Sequence, residues 1–117
     1  MTRLVRLVPV LFLAMAAVPV AAEDISCTLS RACVAGEGCG QPDASGLTVA
    51  GWDGASPAIR VGGDTLPANV SRQGGAIVAS AGGAEARVES NGMLLFRRIT
   101  TRDGARTVTD YTGRCDR

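Results

Sequence analysis

The sequence predicts an all-β protein: a small antiparallel meander forming a sandwich or barrel, stapled by two disulfides, after a cleaved signal peptide. Three observations support this prediction. The N-terminus has the order of positive charge, apolar run and small residues that is typical of a secretory signal. Four cysteines follow it, an even number in a predicted export product. Two-residue turn signals then recur at short intervals, as they do between the strands of a meander.

The signal peptide sets the domain boundaries. Two arginines precede an apolar run over residues 7–18, and small residues follow it. Cleavage is therefore expected after Ala22, with residues 1–22 as the signal peptide and residues 23–117 as a single β domain. The run is shorter than the roughly 20 apolar residues of a transmembrane helix, so no membrane span is expected after cleavage. The expected destination is periplasmic or secreted.

The cysteines predict a disulfide framework. Four cysteines allow three pairings. We favour Cys33 with Cys39, which closes a glycine-rich loop, and Cys27 with Cys115, which joins the first strand to the last. A redox pair lacks the C-x-x-C spacing, and a zinc site lacks both His and paired thiolates.

The turn signals predict where the strands lie. Five turn dipeptides divide the chain after residue 60: Gly62-Gly63, Gly74-Gly75, Gly82-Gly83, Asn91-Gly92 and Asp103-Gly104. The runs between the later turns have no helical stripe and are expected to be strands: 76–81, 84–90, 93–101 and 107–113. Residues 37–46 are expected to form a loop.

The last three turns also predict a register, because residues that flank a two-residue loop pair symmetrically. The turn at Asp103-Gly104 predicts Ile99 opposite Val108, Arg97 opposite Asp110, and Phe96 opposite Tyr111. The turn at Asn91-Gly92 predicts Val88 opposite Leu95, Arg87 opposite Phe96, and Glu85 opposite Arg98. The turn at Gly82-Gly83 predicts Ile77 opposite Val88.

This register separates two faces, since side chains alternate along a strand. The predicted core face carries Ile77, Ala79, Ala86, Val88, Met93, Leu95, Ile99 and Val108. The opposite face carries Val78, Glu85, Arg87, Glu89, Leu94, Phe96, Arg98 and Tyr111. Charged and aromatic side chains meet on that second face, which makes it the candidate for binding.

The candidate binding face lies in a basic part of the chain. All basic residues are Arg, and residues 93–117 carry six of them against three acids. The candidate residues are Arg87, Phe96, Arg98, Tyr111, Arg102 and Arg106. Guanidinium groups suit carboxylate and phosphate, so the expected partner is a protein or an anionic envelope component such as a lipid headgroup or a cell-wall polymer. The alternative is an edge hairpin that charge keeps soluble.

The residue types disfavour several functions. A chain without His or Lys lacks the usual bases of nucleophilic catalysis and the commonest metal ligand. Glu85 and Glu89 stand about 13 Å apart on a strand, too far for glycoside hydrolysis. Trp52, Phe96 and Tyr111 are too few aromatic residues for a nucleic-acid platform. We therefore expect no catalytic, cofactor-binding or metal-binding residues, no nucleic-acid partner and no enzyme activity.

The layout resembles that of exported bacterial lysozyme inhibitors of the small β-barrel type, in which early and late cysteines are bridged. Cys27 and Cys115 correspond to that bridge. The Ser-Gly-x-x-Tyr loop of that family and the Lys after it have no counterpart, since Ser80-Ala81-Gly82 leads to Glu85 and Ala86. The expected function is a non-enzymatic periplasmic binding or inhibitor module, and the alternative is an envelope-associated structural protein.

Overall fold

The fold is all-β, as a computed structural model describes it for residues 22–117. Its ten strands are β1 (Ile25–Val34), β2 (Gly38–Gly40), β3 (Gly46–Ala50), β4 (Ala58–Val61), β5 (Asp64–Pro67), β6 (Asn69–Gln73), β7 (Ala76–Ala81), β8 (Ala84–Val88), β9 (Met93–Arg102) and β10 (Ala105–Cys115). Within this range no helix is long and apolar enough to cross a membrane. Apart from Ala22, the predicted signal peptide lies outside the described residues.

The sheet is an antiparallel meander that nearly closes into a barrel. Its strand order is β5-β4-β3-β1-β10-β9-β8-β7-β6, and β2 pairs with β1 off this path. The two edge strands, β5 and β6, follow each other in the chain and are joined by Ala68 alone. The N–H of Ala68 donates to the carbonyl oxygen of Pro57 at 3.0 Å. The ends of the two edge strands therefore meet, which favours a nearly closed barrel over a sandwich.

Both predicted disulfides are confirmed. Cys27–Cys115 joins β1 to β10, and Cys33–Cys39 joins β1 to β2. One prediction is wrong near the second bridge. Residues 37–46 were expected to form a loop, but they contain the short strand β2. Cys33 and Cys39 lie opposite each other in the β1–β2 ladder, so the loop turns back onto β1 and forms its own strand.

The predicted register is confirmed at two of the three turns. Across β9 and β10, Ile99 lies opposite Val108, Arg97 opposite Asp110, and Phe96 opposite Tyr111. Ile77 lies opposite Val88 across β7 and β8. At the β9–β10 turn both central residues have positive φ, 52° at Asp103 and 77° at Gly104. That is the backbone of the two-residue hairpin that the dipeptide predicts.

The register predicted from Asn91-Gly92 is wrong by one residue. Val88 lies opposite Leu94 and Arg87 opposite Leu95, and Phe96 therefore faces Ala86. The loop has three residues, since the N–H of Glu89 donates to the Met93 carbonyl at 2.9 Å. Only Gly92 has positive φ, at 89°, whereas a two-residue type I′ turn would also require it at Asn91. Glu85 therefore lies opposite Arg97 and not opposite Arg98.

This slip exchanges the two faces of β9, because a shift of one residue reverses every side chain of a strand. Leu94 and Phe96 are buried, whereas Met93 and Leu95 are 42% and 43% exposed. The prediction of Met93, Leu95, Ile99 and Val108 as core is therefore wrong, since Ile99 and Val108 lie on the same outer face and are only half-buried. The prediction is confirmed for β7 and β8, where the buried side chains include Ile77, Ala79, Ala86 and Val88. Tyr111 joins the core with Phe96, and Val78 is also buried although it lies on the other face.

Candidate functional site

The long hairpin of β9 and β10 extends beyond its neighbouring strands. The ladder of β8 with β9 ends at Arg98, and the ladder of β1 with β10 ends at Thr109. Residues 100–107 pair only with each other, and we call them the hairpin arm. Arg102 lies opposite Ala105, and Arg106 lies opposite Thr101. The two guanidinium groups therefore project from opposite faces of the arm, and both are exposed.

A cavity of about 380 Å³ lies where the hairpin arm meets the barrel, and we call it the barrel-end pocket. Its lining is polar and rich in hydrogen-bond donors: Arg98, Arg102, Thr100, Thr101, Thr107, Thr109, Tyr111 and Asp43. Strand alternation places Arg98, Thr100 and Arg102 along one face of β9. This face continues the core face of the barrel beyond Phe96.

Tyr111 forms the inner wall of the barrel-end pocket. Its ring is 5.3 Å from that of Phe96, centroid to centroid, and only 6% of the residue is exposed. Its hydroxyl donates to Asp43 Oδ1 at 3.0 Å. Burial, and then this hydrogen bond, raise the pKa of Tyr111 above its usual value. The hydroxyl therefore stays protonated at neutral pH and holds Asp43 in place.

Some of the charged side chains at the pocket have a partner and one does not. Arg98 Nη2 lies 2.7 Å from Asp64 Oδ2, and the Arg98 side chain is 24% exposed. Asp43 accepts the hydrogen bond of Tyr111. Arg102 forms no salt bridge within residues 22–117. The pocket therefore presents one guanidinium without an acidic partner, together with threonine hydroxyls, to an incoming acceptor.

A second concavity lies on the outer face of β8, β9 and β10. This outer groove, of about 610 Å³, has Leu95 and Ile99 in its lining. Arg97 lines this groove and makes a bidentate contact with Asp110. Its Nε lies 2.7 Å from Oδ1 and its Nη2 lies 3.0 Å from Oδ2. The hydrogen bond from Arg97 lowers the pKa of Asp110, because it favours the ionised carboxylate. The exposed surface of the groove is thus mostly apolar, and the charges of Arg97 and Asp110 are paired with each other inside it.

The predicted binding face does not exist as one surface. Phe96, Arg98, Tyr111 and Arg102 share one face, and of these Phe96 and Tyr111 are buried in the core. Arg87 lies on the opposite face of the sheet, where it binds Glu89 at 2.6 Å. Arg106 lies on the opposite face of the hairpin arm.

Sequence reasoning missed the polar residues that complete the barrel-end pocket. Thr100, Thr107 and Thr109 could have been found, since the correct Asp103-Gly104 register already places them beside Arg98 and Arg102. Asp43, which lines the pocket, and Asp64, which pairs with Arg98, could not, because they come from distant parts of the chain.

Two glutamates on the outer face contact neighbouring polar side chains. Glu85 lies 3.5 Å from the hydroxyl oxygen of Ser80, and Glu89 is engaged by Arg87. Over residues 22–117, no three Cys, Asp or Glu side chains are grouped so that they could hold a metal ion.

Comparisons of the chain with models of protein families, with curated proteins and with solved structures find no match.

Proposed function

We propose that this protein is exported to the periplasm or secreted, and that it is a non-enzymatic binding module holding an anionic group of its partner in the barrel-end pocket. The sequence of the N-terminus supports export. The two disulfides are typical of proteins that work in an oxidising compartment. The observation that carries the binding role is Arg102, which borders a donor-lined pocket and has no salt-bridge partner in the part of the chain that the structure describes.

The pocket chemistry favours an oxyanion. A guanidinium group and threonine hydroxyls donate hydrogen bonds in the directions that phosphate and carboxylate oxygens accept them. A cavity of about 380 Å³ lies at the small end of ligand pockets, which run from roughly 300 to 1,000 Å³. It is therefore large enough for a terminal anionic group, such as a lipid phosphate or a cell-wall carboxylate.

The local acids support a role in binding and not in catalysis. Asp43 accepts the hydrogen bond of Tyr111 and Asp64 pairs with Arg98, so both carboxylates have a partner that fixes their position. The chain has no His or Lys to take that role.

Exchange of one arginine tests the proposal. Arg102→Ser is expected to lower retention of the mature protein on phosphatidylglycerol vesicles, or on isolated cell wall, by about tenfold, the value of one charge-assisted hydrogen bond. Arg106→Ser is the matched control, because it removes the same charge from the other face of the same arm. Retention that is unchanged in Arg102→Ser contradicts the pocket.

An envelope-associated structural role is the alternative, and the projection of the hairpin arm favours it. If the whole arm lies on an anionic surface, Arg102→Ser and Arg106→Ser lower retention equally. Raising the salt concentration then weakens both contacts, because exposed charges are screened.

An inhibitor role is supported by the outer groove. Met93 and Leu95 lie on the same outer face and are 42% and 43% exposed. Exposed apolar side chains at a groove favour a protein partner. Inhibition of lysozyme by the purified mature protein tests this role, with Leu95→Ser expected to weaken inhibition and Arg102→Ser to leave it intact.

A further inference from the structure

The first residues of the predicted mature chain are held by the loop between β3 and β4. The backbone nitrogen of Glu23 lies 2.8 Å from Asp53 Oδ1. The carbonyl oxygen of Glu23 accepts a hydrogen bond from the N–H of Trp52 at 3.1 Å. The carboxylate of Asp24 accepts one from the N–H of Gly51 at 2.8 Å. Three consecutive loop residues therefore contact two consecutive residues ahead of β1.

The position of this contact coincides with the cleavage site that the sequence predicts. Hydrolysis of the peptide bond between Ala22 and Glu23 consumes one water, leaves a carboxylate on Ala22 and frees the amino group of Glu23. In the precursor the Glu23 nitrogen is a neutral amide with one hydrogen. In the mature chain it is an ammonium group with three, since α-amino groups titrate near pH 8.

We propose that residues 51–54 form a receiving site for the mature N-terminus, in which the Asp53 carboxylate binds the ammonium group that signal cleavage creates at Glu23. This inference rests on the proposed export. Cleavage converts an ordinary hydrogen bond into a charge-assisted one, which is shorter and stronger. The mature chain is thereby anchored just ahead of Ile25, the first buried residue of β1.

The loop also accommodates the chain before cleavage. Residues 22–24 are all exposed, so the bond to be cut is open to a peptidase. Gly54 leaves room for the precursor, because a Cβ built there would lie 2.7 Å from the Cβ of Ala22. The loop is itself held in place by Trp52, which packs against the core and carries the Arg72 guanidinium 4.8 Å from its ring centroid.

The composition of the chain allows a direct test. With no Lys in the sequence, the α-amino group is the only primary amine of the mature protein. An amine-acylating reagent therefore reacts with the α-amino group of Glu23 alone. Acylation at pH 7 is expected to be about two- to fivefold slower in the wild type than in Asp53→Asn, because an exposed ion pair of ordinary strength holds the amine in its unreactive protonated form.

Two controls separate this effect from other causes. Asp103→Asn removes an exposed carboxylate at the far hairpin turn and is expected to leave the rate unchanged. In urea the wild type and Asp53→Asn are expected to react equally. Acetylation of the N-terminus should also lower the melting temperature by about 1–5 °C in the wild type and by less in Asp53→Asn.

The outcomes distinguish this inference from the proposed function. If the exported protein begins at Glu23 and both chains are acylated at the same rate, the receiving site is overturned while export stands. If its mass shows another first residue, both the predicted cleavage and the receiving site are overturned. Slower acylation of the wild type supports the receiving site whatever the vesicle assay shows.

Discussion

Tyr111 joins the core of the barrel to the candidate pocket. Its ring packs against Phe96, and its hydroxyl reaches Asp43 across 68 positions of sequence. A buried tyrosine hydroxyl needs a hydrogen-bond partner, and here the partner belongs to the loop that borders the pocket. The packing of the Tyr111 ring in the core therefore also fixes the position of Asp43 at the barrel-end pocket.

The pKa of Tyr111 leads to a prediction at alkaline pH. Because the folded state raises this pKa, the stabilisation is fully present below pH about 10 and is lost as the pH rises through the folded value. The sequence has one Tyr, so ultraviolet absorbance of the phenolate reports on Tyr111 alone. We expect the folded chain to titrate at higher pH than the chain in urea, and coincident titrations would contradict the buried hydrogen bond.

Tyr111→Phe is the matching variant. It removes the hydroxyl and keeps the ring, so we expect a loss of about 1 kcal/mol in the free energy of unfolding at neutral pH. Its stability should fall less steeply above pH 10 than that of the wild type. Urea unfolding at a series of pH values measures both effects.

The ladder between β1 and β10 contains a close approach of the two backbones at Gly113. The register of β1 against β10 shifts between Leu29 and Arg31, so β1 bulges there. Gly113 of β10 lies opposite Leu29, and a Cβ at this position would overlap the carbonyl oxygen of Thr28. The ladder that joins the first and last strands therefore requires glycine at this position.

Gly113→Ala tests this close approach. We expect it to lower the free energy of unfolding by about 2 kcal/mol or more, because backbone atoms must move to admit the methyl group. Gly40→Ala is the control, since a Cβ there meets no atom within 4 Å, and its effect should stay within about 0.5 kcal/mol. Equal losses in the two variants would show that the β1–β10 ladder adapts freely.

The two disulfides act at the scale of the whole molecule. Cys27–Cys115 links residues 88 positions apart in the sequence, and Cys33–Cys39 links residues six positions apart. In the chain-entropy model the long loop is worth about 4 kcal/mol and the short one about 2 kcal/mol. A domain of this size has a modest core, so the long bridge is a large share of its net stability.

Replacement of each pair by alanine tests this difference. We expect Cys27→Ala with Cys115→Ala to lower the free energy of unfolding by about twice as much as Cys33→Ala with Cys39→Ala. Denaturant unfolding of the two double variants measures it. A larger loss from the short loop would mean that contacts of β2 outweigh the entropy of the unfolded chain.

Local turn chemistry predicted the last four strand runs and two hairpin registers, and the cysteine count predicted two disulfides; the structure then selected the favoured pairing from the three that the count allows. Of the four arginines predicted for the binding face, Arg98 and Arg102 line the candidate pocket, whereas Arg87 and Arg106 lie on other faces. The tertiary structure decided the rest. The loop at Asn91-Gly92 took three residues instead of two, and this choice turned Phe96 into the core and Leu95 to the surface. The curvature of the sheet then brought Asp43 and Asp64 to Tyr111 and Arg98, contacts between distant segments that no local pattern encodes.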